Sequence, residues 1–189
     1  FFYSKIIKTK LKPLPALKQW QEQFNLDIDW QEVYRKKIHK QPTVKLAAFN
    51  FKLITLILAT NQKLYQWKRS DSDKCIYCNM IHTNRHLLVE CQHVKPLWEK
   101  VGSFFTTRSI EWSNIVVGLG LTKEENILIS LMAFEIYKKF MGDKSKEENQ
   151  RQGIIPYMKS QMGIIHGMYT HCDSLTYLIP HIVTLKDFL

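Results

Sequence analysis

Four residues near the middle of the chain have the spacing of a closed metal site. Cys75, Cys78, His86 and Cys91 follow the pattern C-x2-C-x7-H-x4-C, so three thiols and one imidazole lie within 17 positions. Zinc binds such a donor set tetrahedrally, and four protein ligands leave no coordination position open for a substrate. The pattern therefore predicts a structural zinc site that folds a small loop, and it argues against a catalytic metal.

Two further histidines are alternative ligands. His82 lies four positions before His86, and His93 follows shortly after the last cysteine of the motif. We favour His86 because Leu87 and Leu88 beside it are typical core residues that would hold the imidazole in place. The other two remain possible from spacing alone.

The positive charge of the chain is concentrated in its first third. The net charge is +10 over 189 residues, and residues 1–70 hold 14 of the 27 Lys and Arg but only 4 of the 17 Asp and Glu. An excess confined to one part of a chain suggests a polyanionic partner for that part. An ordinary solvated helix surface is the alternative explanation of such a charge run.

Aromatic residues within the basic region favour nucleic acid as that partner. Tyr34, Tyr65 and Trp67 could stack on bases, whereas Trp98 and Trp112 are expected in the core. Lysine and arginine contacts to phosphates give affinity without sequence choice. The predicted phosphate-contacting residues are Lys36, Lys37, Lys40, Lys45, Lys52, Lys63, Lys68, Arg69, Lys74 and Arg85. Lys74 and Arg85 directly flank metal ligands.

Hydrophobic periodicity predicts a mostly α fold, a helical domain with an embedded Cys-Cys-His-Cys zinc knuckle. Helices are expected from Ala16 to Phe24, from Asp29 to about Lys40, from Thr43 to Thr60, from Val94 to Phe105 and from Thr122 to about Phe140. Asp29 with Glu32 and Thr122 with Glu125 form capping boxes in this reading. A basic loop would cover 61–74, a charged linker would run from Asp143 to Gly153, and a helical remainder would be broken at Pro180.

Four segments follow from this pattern. They are a connector at 1–27, a basic helical segment at 28–74, the zinc knuckle and its following helix at 75–105, and a C-terminal helical region at 106–189. The longest apolar stretch is interrupted by Asn50 and Lys52 and is too short to span a bilayer, so no membrane association is expected. With four cysteines in the whole chain, a disulfide framework is not indicated and a reducing compartment is expected.

No catalytic motif is present in the sequence. The chain has no H-E-x-x-H, no G-x-S-x-G and no phosphate-binding glycine loop, and Gly118-Leu119-Gly120 alone indicates only a turn. Cys172, next to His171, has no evident catalytic partner. We therefore expect no catalytic residue in this chain.

Several of these residues together resemble a known family. The run Ala48-Phe49-Asn50-Phe51-Lys52-Leu53, then Leu64 and Trp67, the Cys/His motif, and Trp98 are similar to the C-terminal zinc region of reverse transcriptases from non-LTR (LINE-type) retrotransposons. Val117-Gly118, Asn126 to Ile129 and Ile136-Tyr137-Lys138 extend the similarity, which covers roughly residues 28–140.

The resemblance implies a role within a longer protein. The parent would be an RNA-directed DNA polymerase that copies its RNA at a nicked chromosomal target, and this segment would hold template RNA, target DNA or their hybrid. Residues 1–27 would join upstream polymerase domains, and the location would be nuclear with a cytoplasmic ribonucleoprotein stage. The family's Tyr-x-Asp-Asp residues are not in this chain, and no Pro-Asp pair marks a nuclease.

Two other interpretations remain open from sequence. The chain could be a protein-interaction module in which the apolar face of residues 123–140 docks the parent polymerase or a host partner. It could also be a domesticated host protein that keeps zinc and nucleic-acid binding. The first alternative predicts binding that barely responds to salt, whereas phosphate contacts weaken steeply as salt rises.

Overall fold

The computed structural model describes residues 15–105 and 109–189, and over these residues the chain is mostly helical with no strand. Residues 1–14 of the expected connector lie outside the described part. The helices are α1 (Pro15–Phe24), α2 (Trp30–Tyr34), α3 (Val44–Ile54), α4 (Asn61–Gln66), α5 (Lys95–Val101), α6 (Trp112–Val117), α7 (Lys123–Asp143), α8 (Ile154–Tyr169) and α9 (Ile179–Phe188). Helix α2 continues as a π-helical turn, Arg35–His39.

Side-chain caps start several helices where the sequence predicts them. Thr122 Oγ1 accepts a hydrogen bond from the Glu125 N–H (3.2 Å), and Glu125 Oε2 accepts one from the Thr122 N–H (2.9 Å), which confirms the capping box at α7. Asp29 caps α2 by accepting from the N–H groups of residues 31 and 32. The side chain of Glu32, however, pairs with Arg35 and Lys36.

The helix expected from 43 to 60 is shorter than predicted. Helix α3 ends at Ile54 because Leu56 takes a left-handed conformation with φ of 60°. The Ile57 N–H then bonds to the Lys52 carbonyl at 2.9 Å and the Leu56 N–H to the Leu53 carbonyl at 3.1 Å, the pattern of a Schellman cap. Thr60 starts α4 at residues that the sequence assigned to a loop.

Other boundaries also shift. The helix expected from 94 to 105 is α-helical from Lys95 to Val101 and continues as one 3₁₀ turn, Gly102–Phe104. Pro180 does not break a helix but lies in the first turn of α9, where its missing N–H costs nothing. Short 3₁₀ turns at Glu148–Gln150 and Asp173–Leu178 connect the C-terminal helices.

Helix α7 is the centre of the core. Buried residues occur around most of its circumference, including Ile127, Met132, Ile136 and Phe140, and it packs against α3, α6, α8 and the π turns. The apolar face of 123–140 is therefore covered by the chain's own helices and does not offer the partner-docking surface considered above.

Two tryptophans expected in the core are there. Trp98 and Trp112 are buried, and the Trp98 Nε1–H donates to the Leu88 carbonyl at 2.7 Å. Trp20 on α1 lies edge-on to Trp112 with ring centroids 5.7 Å apart. Trp20 also donates its Nε1–H to the Ile54 carbonyl at 2.7 Å, which ties α1 to the end of α3.

Candidate metal centre and basic surface

A tight turn between Cys75 and Met80, which we call the cysteine turn, brings the first two cysteines together. Lys74 and Ile81 form an isolated antiparallel bridge, and the Cys75 N–H bonds to the Met80 carbonyl at 2.7 Å. Between them, the Asn79 N–H bonds to the Cys75 carbonyl at 3.1 Å, and Asn79 adopts a left-handed φ of 58°. Asparagine tolerates this conformation better than most residues, so the turn that follows the second cysteine can close.

The other two members come from the next helical turn. Thr83 Oγ1 accepts from the His86 N–H at 2.9 Å and starts a π turn over His86–Glu90. The Cys91 N–H bonds to the His86 carbonyl at 2.8 Å, so the chain folds back and places Cys91 beside the cysteine turn.

The four side chains converge. Cys75, Cys78, His86 and Cys91 offer three Sγ atoms and one imidazole nitrogen that all lie within 4.8 Å of one another. Cys91 Sγ lies 3.9 Å from both Cys75 Sγ and Cys78 Sγ, and Cys78 Sγ lies 3.2 Å from His86 Nε2. A tetrahedral ion with metal–sulfur bonds of about 2.3 Å would separate two sulfurs by about 3.8 Å. The cluster therefore fits one metal ion.

Hydrogen bonds within the cluster favour thiolate at Cys75. They lower the pKa of Cys75, first through Cys91 and then through the backbone N–H groups of Tyr77 and Cys78, against the opposing effect of burial. The pKa of Cys91 is raised, first by its hydrogen bond with Cys75 and then by burial. A divalent cation at the centre would favour thiolate at all three cysteines, since metal binding displaces thiol protons.

The two alternative histidines lie outside the four-residue cluster. His82 is fully buried, its ring stacks on Phe140 at 3.9 Å between centroids, and its Nδ1 accepts from the Asn61 N–H at 3.0 Å. Burial is the main cause that lowers the pKa of His82 to about 3, which keeps the imidazole neutral. His93 stacks on Tyr77 at 4.0 Å.

Two residues that spacing did not single out fix the cysteine turn from the C-terminal half of the chain. Arg151 donates from Nη1 to the Ile76 carbonyl at 2.8 Å, and the Tyr77 hydroxyl donates to Asp143 Oδ2 at 2.8 Å. Arg151 and Ile76 are 75 positions apart in the chain, and Tyr77 and Asp143 are 66 positions apart. No local sequence pattern could therefore have found these contacts.

The predicted phosphate-contacting residues fall into different environments. Lys37 does not belong to an exposed surface: its side chain is fully buried, and Nζ donates to the Asn114 carbonyl and to Ser130 Oγ. Lys36 and Lys63 are partly buried, and Lys36 pairs with Glu32. The exposed members are Lys40, Lys45, Lys52, Lys68, Arg69, Lys74 and Arg85, of which Arg85 pairs with Glu90 at 2.7 Å.

One short stretch combines exposed cations with exposed aromatic rings. Tyr65 and Trp67 at the end of α4 are 53% and 45% exposed, and Lys68, Arg69 and Lys74 are exposed in the segment that leads to the cysteine turn. None of the ion pairs among the described residues involves these three cations. We call these five residues the linker surface. Tyr34, by contrast, is partly buried against the core.

The linker surface is attached directly to the metal centre. Asn61 at the start of α4 donates from Nδ2 to the Lys74 carbonyl at 2.6 Å, and the Gln62 N–H bonds to the His82 carbonyl at 3.4 Å. The His82 N–H in turn bonds to the Asp73 carbonyl at 2.9 Å. Helix α4 therefore rests on the segment that carries the first two cysteines.

Comparison with known proteins identifies no relative. No family model, no curated protein and no solved structure matches the chain. Within the described ranges, every helix is too short or too polar to cross a membrane.

Proposed function

We propose that the cluster of Cys75, Cys78, His86 and Cys91 binds zinc as a structural ion. The donor set supports this proposal, because three thiolates and one imidazole in a tetrahedral arrangement are typical of structural zinc. Four protein ligands leave no position for a reacting water, so the ion would stabilise the fold and perform no chemistry.

The same proposal includes nucleic-acid binding by the linker surface. The observation that carries it is the exposure of Tyr65 and Trp67 beside Lys68, Arg69 and Lys74, none of which has an acidic partner among the described residues. Cations of this kind bind phosphates and release counterions, and exposed rings offer stacking surfaces for bases. The metal centre would hold this surface in a fixed position.

The parent protein that fits this module best is the reverse transcriptase of a non-LTR retrotransposon. The support is the resemblance of roughly residues 28–140, including the spacing of the Cys/His motif. In that protein the chain would be a non-catalytic C-terminal segment that holds template RNA, target DNA or their hybrid near upstream polymerase domains.

Binding is tested by titrating the zinc-loaded chain against labelled single-stranded RNA, duplex DNA and RNA–DNA hybrid at about 50 mM and about 200 mM salt. We expect binding to at least one ligand that weakens at least tenfold at the higher salt. The Lys68/Arg69/Lys74→Ala variant should lose most of this affinity. Equal binding by that variant, or weak binding of all three ligands by the native chain, would refute the proposal.

A charge-matched variant provides the control. Lys100, Lys144 and Lys159 are exposed and lie outside the linker surface. Lys100/Lys144/Lys159→Ala removes the same three positive charges, so its affinity should fall much less. An equal fall would show that net charge, and not this surface, governs binding.

A further inference from the structure

Two serines lie between the cations of the linker surface. The segment from Arg69 to Lys74 reads Arg-Ser-Asp-Ser-Asp-Lys, with Ser70 and Ser72 each followed by an aspartate. We propose that Ser70 is a phosphorylation site for an acidic-directed serine kinase, and that phosphate there switches off the linker surface. The effect of the phosphate on the linker surface rests on the proposed function, whereas the phosphorylation site does not.

The local structure leaves Ser70 available to an enzyme. Residues 67–73 are neither helix nor strand, and Arg69, Asp71 and Ser72 beside it are exposed. Ser70 is partly exposed, and its hydroxyl donates to the Ser72 carbonyl at 3.0 Å and accepts from the Ser72 N–H at 3.5 Å. Both bonds join residues 70 and 72, so a kinase can extend this segment without unfolding a helix.

The pattern of carboxylates selects Ser70 over Ser72. Acidic-directed kinases require a carboxylate three positions after the serine, and Ser70 has Asp73 at that position and Asp71 next to it. Ser72 has Cys75 at the corresponding position, a predicted metal ligand. In the reaction the Ser70 oxygen attacks the γ-phosphorus of ATP, the bridging P–O bond to ADP breaks, and the hydroxyl proton is lost to solvent.

The charge added by a phosphate on Ser70 is large relative to the net charge of residues 68–74. Residues 68–74 carry three cations, Lys68, Arg69 and Lys74, and two aspartates, so their net charge is +1. A phosphoserine adds about −1.5 to −2 at neutral pH and would make this net charge negative. Its oxygens would also pair with the neighbouring cations, which nucleic-acid phosphates would otherwise contact. Both effects oppose binding.

The modification is tested by mass spectrometry. The full zinc-loaded chain is incubated with casein kinase II and ATP, and phosphopeptides are mapped. We expect a phosphoryl group on Ser70 in the native chain and in Ser72→Ala, and none on residue 70 in Ser70→Ala or Asp73→Asn. Exposed Ser145 also has a carboxylate, Glu148, three positions after it, so phosphate there is mapped separately and does not bear on Ser70. Absence of phosphate from Ser70 of the native chain, or its placement on Ser72 instead, would overturn the site.

The regulatory effect is tested by binding of single-stranded RNA, duplex DNA and hybrid to the phosphorylated and unmodified chains, with kinase-treated Ser70→Ala as control. We expect phosphorylation to weaken affinity about tenfold or more at physiological salt. Equal affinity of the two forms would overturn the switch while leaving the proposed function intact. If the unmodified chain binds none of them, the proposed function and the switch fail, and the Ser70 site is judged by mass spectrometry alone.

Discussion

The Tyr77 hydroxyl donates to Asp143 Oδ2 at 2.8 Å and joins the middle of the cysteine turn to the last turn of α7. Asp143 has a side chain only 2% exposed and also accepts from Lys139 at 2.5 Å and Lys146 at 3.0 Å. Burial alone would raise the pKa of Asp143, but these three hydrogen bonds lower it overall. The metal centre is thus anchored to the central helix by a buried charged group.

Replacing Tyr77 with Phe should destabilise the chain by about 1–2 kcal/mol. Tyr77→Phe keeps the ring stacked on His93 but removes the donor to Asp143, which leaves a buried carboxylate with one bond fewer. Urea unfolding measures the change. Tyr65→Phe is the control, because its hydroxyl is on an exposed side chain and its loss should cost less than about 0.5 kcal/mol. Equal effects of the two variants would contradict this role for Asp143.

Metal removal should destabilise the C-terminal half of the chain as well as the cysteine turn. Metal binding at a structural site contributes folding free energy, and the turn is bonded to α7 through Tyr77 and to the segment after it through Arg151. We expect chelation to speed amide hydrogen exchange both in residues 75–91 and in the last turns of α7. Faster exchange confined to residues 75–91 would show that the two parts are not coupled.

The cysteine ligands are tested separately by substitution. Cys78→Ser should lower both zinc content and the midpoint of thermal unfolding, because serine is a poor zinc ligand. Cys172→Ser should retain one zinc per chain, because Cys172 lies outside the cluster. If Cys78→Ser kept both zinc content and thermal stability, the proposed ligand set would be wrong.

The metal cluster could be predicted from sequence because all four members lie in one short segment whose spacing reflects local turns. The contacts that anchor the cluster to the C-terminal half of the chain could not be predicted from sequence. Tyr77 and Asp143 are 66 positions apart, and neither residue type signals its partner. Lys37 shows a different limit. Three consecutive cations, Arg35, Lys36 and Lys37, look like one solvated face, but successive helical residues point about 100° apart, so one of them faces the core.

Helix boundaries were missed for a related reason. The apolar periodicity of α3 continues beyond Ile54, and the chain ends the helix with Leu56 in a left-handed conformation where a glycine would have marked the end. Lys68 ends α4 in the same way, with φ of 56°. The end of a helix is therefore hidden when the residue at this position carries a side chain.

Lys68→Gly should stabilise the chain relative to Lys68→Ala by about 1 kcal/mol. Both variants remove the same exposed charge, but only glycine adopts the left-handed conformation without a steric cost. The position closes a Schellman cap, in which the Arg69 N–H bonds to the Leu64 carbonyl at 2.8 Å and the Lys68 N–H to the Tyr65 carbonyl at 2.9 Å. Denaturant unfolding compares the two variants, and a more stable alanine variant would contradict the assigned backbone conformation.

Lys37→Met should stabilise the chain at about pH 7 by about 1–3 kcal/mol. Lys37 is fully buried and has no acidic partner among the described residues, and burial lowers its pKa to about 7. Methionine fills similar space without an ammonium group. The Asn114 carbonyl keeps a partner in the variant because it also accepts from the Gly118 N–H at 3.0 Å.

The pH dependence separates the cost of the charge from a packing effect. The unfolded chain holds the Lys37 proton up to a pKa of about 10.4, whereas the folded chain releases it near 7, so native stability gains from this group as pH rises between these values. The advantage of Lys37→Met should therefore shrink when urea unfolding is measured at about pH 9. Lys40→Met, at an exposed position, should show no such change. A constant difference between Lys37→Met and the native chain at both pH values would mean that packing, and not the buried ammonium, accounts for the effect.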